Sequence, residues 1–236
     1  MMRMMPKHVI FAALGLAALA GWGSMSQADE LLRQKATELV RDADDVLREV
    51  MNSPDKGIPR DLLRKSAGVA IFPGVIKGGF FVGGKYGRGV ILRHDTRHKR
   101  WSPPAFYSIG AASWGFQFGG QSTDLILVIM NNRGMKSLVR REFTLGGDAS
   151  VAAGPVGRKA EANVDVGFKS AIYSYSRSRG LFLGVSLEGS KLNELPKYNR
   201  AFYGRPLSPR SILFAGKARP PRAARRLLQR LEKLSR

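Results

Sequence analysis

The stretch from Ala67 to Gly89 combines cations with glycines in a pattern suited to binding an anion. Lys77, Lys85 and Arg88 stand among paired glycines, beside backbone N–H groups that no side chain shields. Cations next to exposed backbone N–H groups form sites that hold phosphate and other anions. We therefore take these three cations as candidate anion-binding residues.

The same glycines also fit a plainer explanation, as bends in a small closed sheet. The apolar runs Val69–Phe72 and Phe80–Val82 are typical of short strands, and the proline and glycines around them prevent one long helix. The order Gly84-x-x-Gly87-x-Gly89 reverses the dinucleotide-binding fingerprint, and no phosphate-loop lysine motif follows it. The stretch meets neither nucleotide motif, while sheet bends and an anion site both stay open.

The rest of the chain contains no residue pattern that predicts catalysis. Cysteine is absent, and Gly184–Gly189 misses the G-x-S-x-G nucleophile motif by one position. His94 and His98 are four residues apart, a spacing that brings two metal ligands together on a helix, but they lie between strand-like segments and among cations. We therefore expect no enzymatic activity, no metal site and no cofactor.

The elements that must position the cations are mostly strands. Strand character is found in Gly87–His94, Phe106–Trp114, Phe116–Gly120, Leu125–Met130, Phe143–Ala153, Glu161–Phe168, Ala171–Arg177 and Leu181–Leu187. Leu125–Met130 is apolar at every position, which is typical of a strand buried on both faces. The turn before Glu161 carries Arg158 and Lys159, which we add to the candidate anion-binding residues.

Helices are predicted on both sides of the strands. Glu30–Met51 has apolar residues at intervals of three and four, and the second half of its polar face is acidic. An anionic bilayer would repel that face, so we expect this helix to cover the sheet. Shorter helices are predicted over Arg60–Ser66, within Met135–Arg141, and as a closing helix over Lys191–Tyr203.

The C-terminal segment, Lys217–Arg236, is a basic amphipathic tail. Four leucines fall on one face of a helix and four cations fall on another. Helices of this kind bind anionic lipid surfaces, which makes Arg225, Arg226 and Arg230 candidate lipid-binding residues. The alternative is a frayed, solvated tail.

Net charge and the N-terminal segment together limit the partners. The 236 residues carry a net charge of +21, which predicts attraction to a polyanion. Met1–Ala28 has a basic start, an apolar run over Val9–Ala20 and small residues at its end, which predicts a cleaved secretory signal peptide. The run is shorter than the roughly 20 residues that span a bilayer. Export argues against nucleic acid as the partner and leaves a mature domain over residues 29–216 followed by the tail.

Several short motifs occur in a fixed order along residues 29–216. They include Gly68-Val69-Ala70-Ile71-Phe72-Pro73, Lys77-Gly78-Gly79, Trp101-Ser102-x-Pro104-Ala105-Phe106, Ala153-Gly154-Pro155-x-Gly157-Arg158 and Ile172-Tyr173-Ser174-Tyr175-Ser176. In this order they resemble the SYLF lipid-binding domain family, called the actin-binding SYLF domain in its fungal members. The resemblance implies an α+β fold, with a strongly bent antiparallel or barrel-like sheet packed with N-terminal and C-terminal helices.

The resemblance also implies affinity for anionic phospholipids, with phosphoinositides as the ligands of eukaryotic members. We therefore predict an exported, non-enzymatic binding protein, periplasmic or secreted and peripheral to a membrane. The residues expected to contact headgroup phosphates are Lys77, Lys85, Arg88, Arg158, Lys159, Arg225, Arg226 and Arg230. The alternative is an envelope structural or interaction protein that docks an acidic protein or polysaccharide. Actin is not expected as a partner, because an exported protein meets none unless it reaches a host.

Overall fold

The structure is a computed structural model that describes residues 10–53, 57–79, 82–114, 121–139, 143–156, 171–179 and 187–236. Its helices are α1 (Ile10–Met51), α2 (Arg60–Lys65), α3 (Asn132–Leu138), α4 (Pro196–Tyr203), α5 (Pro209–Leu213) and α6 (Arg225–Leu234). Its strands are β1 (Gly68–Gly79), β2 (Val82–Asp95), β3 (Arg100–Trp101), β4 (Ala105–Trp114), β5 (Gln121–Ile129), β6 (Phe143–Thr144), β7 (Val151–Ala153), β8 (Ile172–Arg179) and β9 (Lys191–Glu194).

The strands form one strongly curled sheet in the order β6-β9-β4-β2-β1-β5-β8-β7, and β3 pairs with the end of β2. Its four long central strands, β4, β2, β1 and β5, pair antiparallel, whereas β7 and β8 pair parallel. The predicted α+β class with a bent sheet between N-terminal and C-terminal helices is confirmed. The parallel pair makes the sheet mixed.

Two apolar cores lie on opposite faces of this sheet. The first lies under α1, α2, α4 and α6 and receives Ile126 and Val128 of β5. The second lies on the other face with α3 and α5 and receives Leu125, Leu127 and Ile129. Alternate side chains of β5 therefore enter different cores, which confirms that this strand is buried on both faces. We call these the helix-covered face and the inner face of the sheet.

Helix α1 covers the sheet, as its apolar spacing predicts. Ala36, Val40, Ala43, Leu47 and Val50 are buried in the first core. These positions recur every three, four or seven residues, so they share one side of the helix. Among the described residues, no helix has an apolar stretch long enough to cross a membrane.

The C-terminal segment is part of the folded domain. Leu227, Leu228 and Leu231 of α6 are buried in the first core, and the Trp101 indole N–H donates to the Ser235 hydroxyl at 3.0 Å. The apolar face of α6 therefore packs on protein. The interpretation of this apolar face as a membrane-binding surface is wrong, and so is its alternative, a frayed and solvated tail.

Two local predictions are corrected by the sheet. Lys191–Glu194, expected to begin the closing helix, is strand β9, because it pairs with Tyr107–Gly110 of β4 and the helix begins only at Pro196. The strand expected over Phe143–Ala153 is two short strands separated by a turn. The strands predicted over 116–120 and 161–168, and nearly all of the one over 181–187, lie outside the described residues.

Candidate anion-binding site

A β-bulge in β1 determines which way Lys77 points. Phe72 pairs with Leu125 and Val75 pairs with Thr123, so β1 contains one residue more than β5 between these pairs. The extra residue lies at Pro73-Gly74, where Gly74 adopts a left-handed φ of 56°. Since one extra residue reverses the alternation, Val75 joins Phe72 in the second core, and Lys77 follows Val75 onto the inner face.

A buried carboxylate holds the bulge in place. Asp124 is 6% exposed, and its Oδ1 accepts a hydrogen bond of 2.9 Å from the backbone N–H of Gly74. The N–H of an extra strand residue has no ladder partner, so a side-chain acceptor satisfies it. Asp124 thus positions Lys77 from the neighbouring strand. The Pro-Gly pair in a strand was the sequence signal for a bend, but it did not identify this acceptor.

Lys77 and Lys85 are direct partners across the β1–β2 hairpin. Directly opposed residues have Cβ atoms about 4.5–5.5 Å apart, and both side chains leave the sheet on the inner face. Burial and the nearby charge of Lys77 lower the pKa of Lys85 to about 8, with burial the larger cause. The structure therefore places two cations together in a partly desolvated position, where a bound anion would favour the charged form of each.

The surroundings of the two lysines are mainly apolar. Both line a small cavity with Val75, Ile109, Thr123, Leu125 and Leu187. Its enclosed space has room for about one water molecule, so it cannot accommodate an acyl chain. The two lysines can bind an anionic group at the mouth of the cavity, and an acyl chain attached to that group would remain outside.

Arg88 lies on the other face of the hairpin. Its guanidinium donates to the Tyr86 hydroxyl at 3.1 Å and to the Tyr198 hydroxyl at 3.0 Å, and its Cζ is 5.6 Å from the centre of each ring. These contacts tie β2 to α4, and the hydrogen bond that Arg88 donates to Tyr86 is the main cause that raises the Arg88 pKa. The structure therefore does not bring Arg88 together with the lysine pair.

The three candidate arginines of α6 differ in their surroundings. The Arg230 Nε and Nη2 atoms donate to the two carboxylate oxygens of Asp44 at 2.5 and 3.0 Å, so Arg230 holds α6 against α1. Arg226 is mostly exposed, with its Nε 3.8 Å from the same carboxylate, and Arg225 is exposed. Arg158 and Lys159 lie outside the described residues. Lipid contact by any of these residues stays a prediction.

Residues 110–234 match the family described as Ysc84, Las17-binding protein actin regulator. This region is more than half of the chain. The chain belongs to the Ysc84 family. The SYLF motifs in the sequence had indicated the same family, so that resemblance is confirmed.

Three relatives show how far the likeness of this Ysc84-family chain extends. It is 37% identical over 191 residues to the SH3 domain-containing YSC84-like protein 1 of Bos taurus and of Homo sapiens, which covers 80% of this chain and 55% of each relative. It is 39% identical over 183 residues to LAS seventeen-binding protein 3 of Saccharomyces cerevisiae, which covers 75% of this chain and 39% of that protein. The chain thus matches about half of the length of the mammalian relatives and less of the yeast one.

The family membership corrects one expectation about partners. Actin was not expected, because a signal peptide and export were predicted. The Ysc84 family is described as an actin regulator, and the yeast relative is named for binding Las17. The expectation that actin is an unlikely partner is therefore wrong, and the family is one of binding proteins.

Proposed function

We propose that this Ysc84-family chain is an exported, non-enzymatic protein that binds the phosphate groups of anionic phospholipids at the Lys77–Lys85 pair. The main support for this proposal is the strand register, which sets the two lysines directly opposite each other on the inner face of the hairpin. An anion between them offsets both the loss of hydration and the mutual repulsion of the two ammonium groups. Removal of residues 1–28 takes away Arg3 and Lys7 and leaves 37 cations against 18 anions, so the mature chain has a net charge of +19. This charge adds longer-range attraction to a negative membrane surface.

The size of the cavity favours adhesion to a membrane over extraction of a lipid. A phosphate group can meet the lysines at the cavity mouth, but the enclosed space is too small for an acyl chain. The lipid therefore stays in its bilayer while its headgroup is bound. Attraction of this kind is screened by salt, because the Debye length shortens from about 10 Å at 0.1 M to about 3 Å at 1 M.

Export is the part of the proposal that rests on the N-terminal sequence. The first buried side chain described in α1 is Ala36, so removing residues 1–28 leaves every described buried residue of that helix in place. N-terminal sequencing of the exported protein is expected to begin at Asp29. An exported or cell-associated chain that still begins at Met1 would contradict cleavage.

Vesicle flotation with charge-matched variants tests the headgroup site. The chain is expected to float with vesicles of phosphatidylglycerol and phosphatidylcholine and to remain behind with phosphatidylcholine alone. Lys77→Gln/Lys85→Gln should lose most of this binding. The control Lys35→Gln/Lys136→Gln removes the same charge from exposed positions on α1 and α3 and should retain it. Equal loss in both double variants would show that only total charge matters.

A second candidate function is binding to a partner involved in actin assembly, which the family description and the name of the yeast relative favour. The matched region is part of each relative, so this second function requires that the shared domain, and not another part of the relatives, binds the actin-related partner. Pelleting with actin filaments, in the presence and absence of vesicles, separates the two functions. Binding to filaments without vesicles would support the actin-related function, and absence from the pellet would refute direct filament binding.

A further inference from the structure

The β1–β2 hairpin also exposes a pair of large apolar side chains. Among the described residues, the exposed large apolar side chains are Leu31, Ile76, Tyr86 and Val156. Ile76 is 62% exposed and Tyr86 is 50% exposed, and these two are direct partners across the hairpin. Single exposed apolar residues are ordinary on protein surfaces, but adjacent ones form a patch that water solvates poorly.

The contacts of Tyr86 give this patch a defined edge. The Tyr86 hydroxyl accepts a hydrogen bond from Arg88 Nε at 3.1 Å, and Arg88 in turn donates to Tyr198 of α4. The ring is therefore held beside a guanidinium while half of its surface stays exposed. An aromatic ring with a polar end and a neighbouring cation is the combination found where proteins meet the boundary between headgroups and acyl chains.

The patch and the lysine pair belong to the same end of the hairpin. Ile76 precedes Lys77 in β1, and Tyr86 follows Lys85 in β2, so the apolar pair and the cationic pair occupy neighbouring rungs. Adjacent residues of a strand point to opposite faces and are about 3.3 Å apart along it. A surface that meets this end of the sheet therefore contacts apolar side chains on one face and cations on the other.

We infer that Ile76 and Tyr86 insert into the interfacial region of an anionic bilayer while Lys77 and Lys85 bind its phosphates. This inference rests on the proposed function, which concerns the lysine pair alone. An anionic bilayer fits this patch because cations lie beside it and on the opposite face of the sheet, and because the mature chain keeps a net charge of +19. A lysine side chain at a bilayer surface can extend its ammonium group to the phosphates while its methylene groups lie deeper, against the apolar layer. The two lysines can therefore bind phosphates while Ile76 and Tyr86 are inserted.

The absence of cysteine from the chain allows a direct test. A single cysteine at Ile76→Cys is labelled with a fluorophore that responds to polarity, and Val156→Cys provides an exposed apolar control site. With vesicles of phosphatidylglycerol and phosphatidylcholine, the label at position 76 should shift to shorter wavelength and be quenched by brominated acyl chains. The label at position 156 should do neither. A label at position 76 that stays in water on vesicle-bound protein overturns the inference, as does one shielded before vesicles are added.

Serine variants measure what the patch contributes. Ile76→Ser should weaken vesicle partitioning about tenfold, from the apolar surface no longer buried, and the loss should persist in high salt. Val156→Ser should leave partitioning unchanged. If Lys77→Gln/Lys85→Gln abolishes binding while Ile76→Ser leaves vesicle partitioning unchanged, headgroup binding stands and the inference fails. If the unaltered chain does not bind anionic vesicles, both fail. Loss of actin-filament pelleting by Ile76→Ser, with vesicle binding intact, would assign the patch to a protein partner and overturn the inference.

Discussion

Replacing Arg230 with alanine removes the partner of a buried carboxylate. The Asp44 side chain is 5% exposed, and Arg230 is the residue that donates to both of its oxygens. Without the guanidinium, the carboxylate must remain charged in a largely dry position or take up a proton, and either outcome lowers the free energy of unfolding. The perturbation therefore tests whether α6 is held to α1 by this pair or is a separate basic tail.

The size of the effect follows from burial. Breaking a buried ion pair by removing one partner costs about 3–5 kcal/mol. Arg230 is 27% exposed, and Arg226 lies 3.8 Å from the same carboxylate, so water and the second arginine offset part of this cost. We expect a loss of about 2 kcal/mol, which at a slope of about 2 kcal/mol per molar urea lowers the unfolding midpoint by about 1 M.

The assay is urea unfolding followed by far-ultraviolet circular dichroism. Arg225→Ala is the matched control, because it removes the same charge from an exposed position of the same helix and should change stability by less than about 0.5 kcal/mol. A double variant with Asp44→Ala should be less destabilised than the sum of the two single variants, since each already breaks the same pair. Equal midpoints for Arg230→Ala and Arg225→Ala would refute the pairing.

Three further predictions concern single positions in the sheet. Gly89→Ala would place a Cβ 2.1 Å from the Ile71 carbonyl oxygen and should lower the free energy of unfolding, measured with heat or urea, by about 1–3 kcal/mol. The control Gly110→Ala makes only ordinary contacts and should have a smaller effect on stability. Equal stability of the two variants would contradict this close packing at Gly89. Burial lowers the pKa of His94 below the ordinary histidine value of 6.5, so the unfolded chain binds the proton first on acidification. The free energy of unfolding should therefore fall as pH drops below 6.5, and a His94→Gln variant with the same pH dependence would refute this. Because the pKa of Lys85 is about 8, affinity for anionic vesicles should fall between pH 7 and 9 as Lys85 loses its charge. The Lys85→Gln variant should not show this fall. An identical fall in the variant would assign the pH dependence to another group.

Local sequence patterns predicted sharply turning strands over Ala67–Gly89 and the burial of β5 on both faces. Glycine pairs and Pro73-Gly74 disfavour a helix, so strands were predicted in this stretch from backbone chemistry. The predicted short run Val69–Phe72 is part of a longer strand, because β1 continues through the bulge to Gly79. The unbroken apolar run of β5 required cover on both sides, and both cores supply it. These features depend on the chain near each residue, which is why sequence was sufficient.

Other features depended on long-range pairing that sequence did not reveal. Lys191–Glu194 is a strand only because β4 offers it an edge. The bulge was indicated by Pro73-Gly74, but which lysines it would bring to one face depended on register and on Asp124 in another strand. For α6, the amphipathic pattern was correct, yet the pattern is the same whether the apolar face packs on a protein core or on a membrane.

The candidate site was predicted in part. Lys77 and Lys85 were chosen for their charge among glycines, and the structure sets them opposite each other. Arg88, chosen on the same ground, lies on the other face because alternate strand residues do, and its tyrosine partners were not foreseen. Exposure of Ile76 and Tyr86 had no sequence signal, since an apolar residue in a strand is ordinarily buried.

The most direct test of headgroup binding is the pKa of Lys85 with and without a ligand. Its side-chain signal, assigned by comparison with Lys85→Gln, is followed by NMR across pH in the free protein and with a short-chain phosphatidylglycerol. Headgroup binding at this pair predicts that the Lys85 pKa is about 8 in the free protein and rises when the lipid is added, because a phosphate between the lysines favours the charged form. A pKa that does not change with the lipid would contradict binding at this pair.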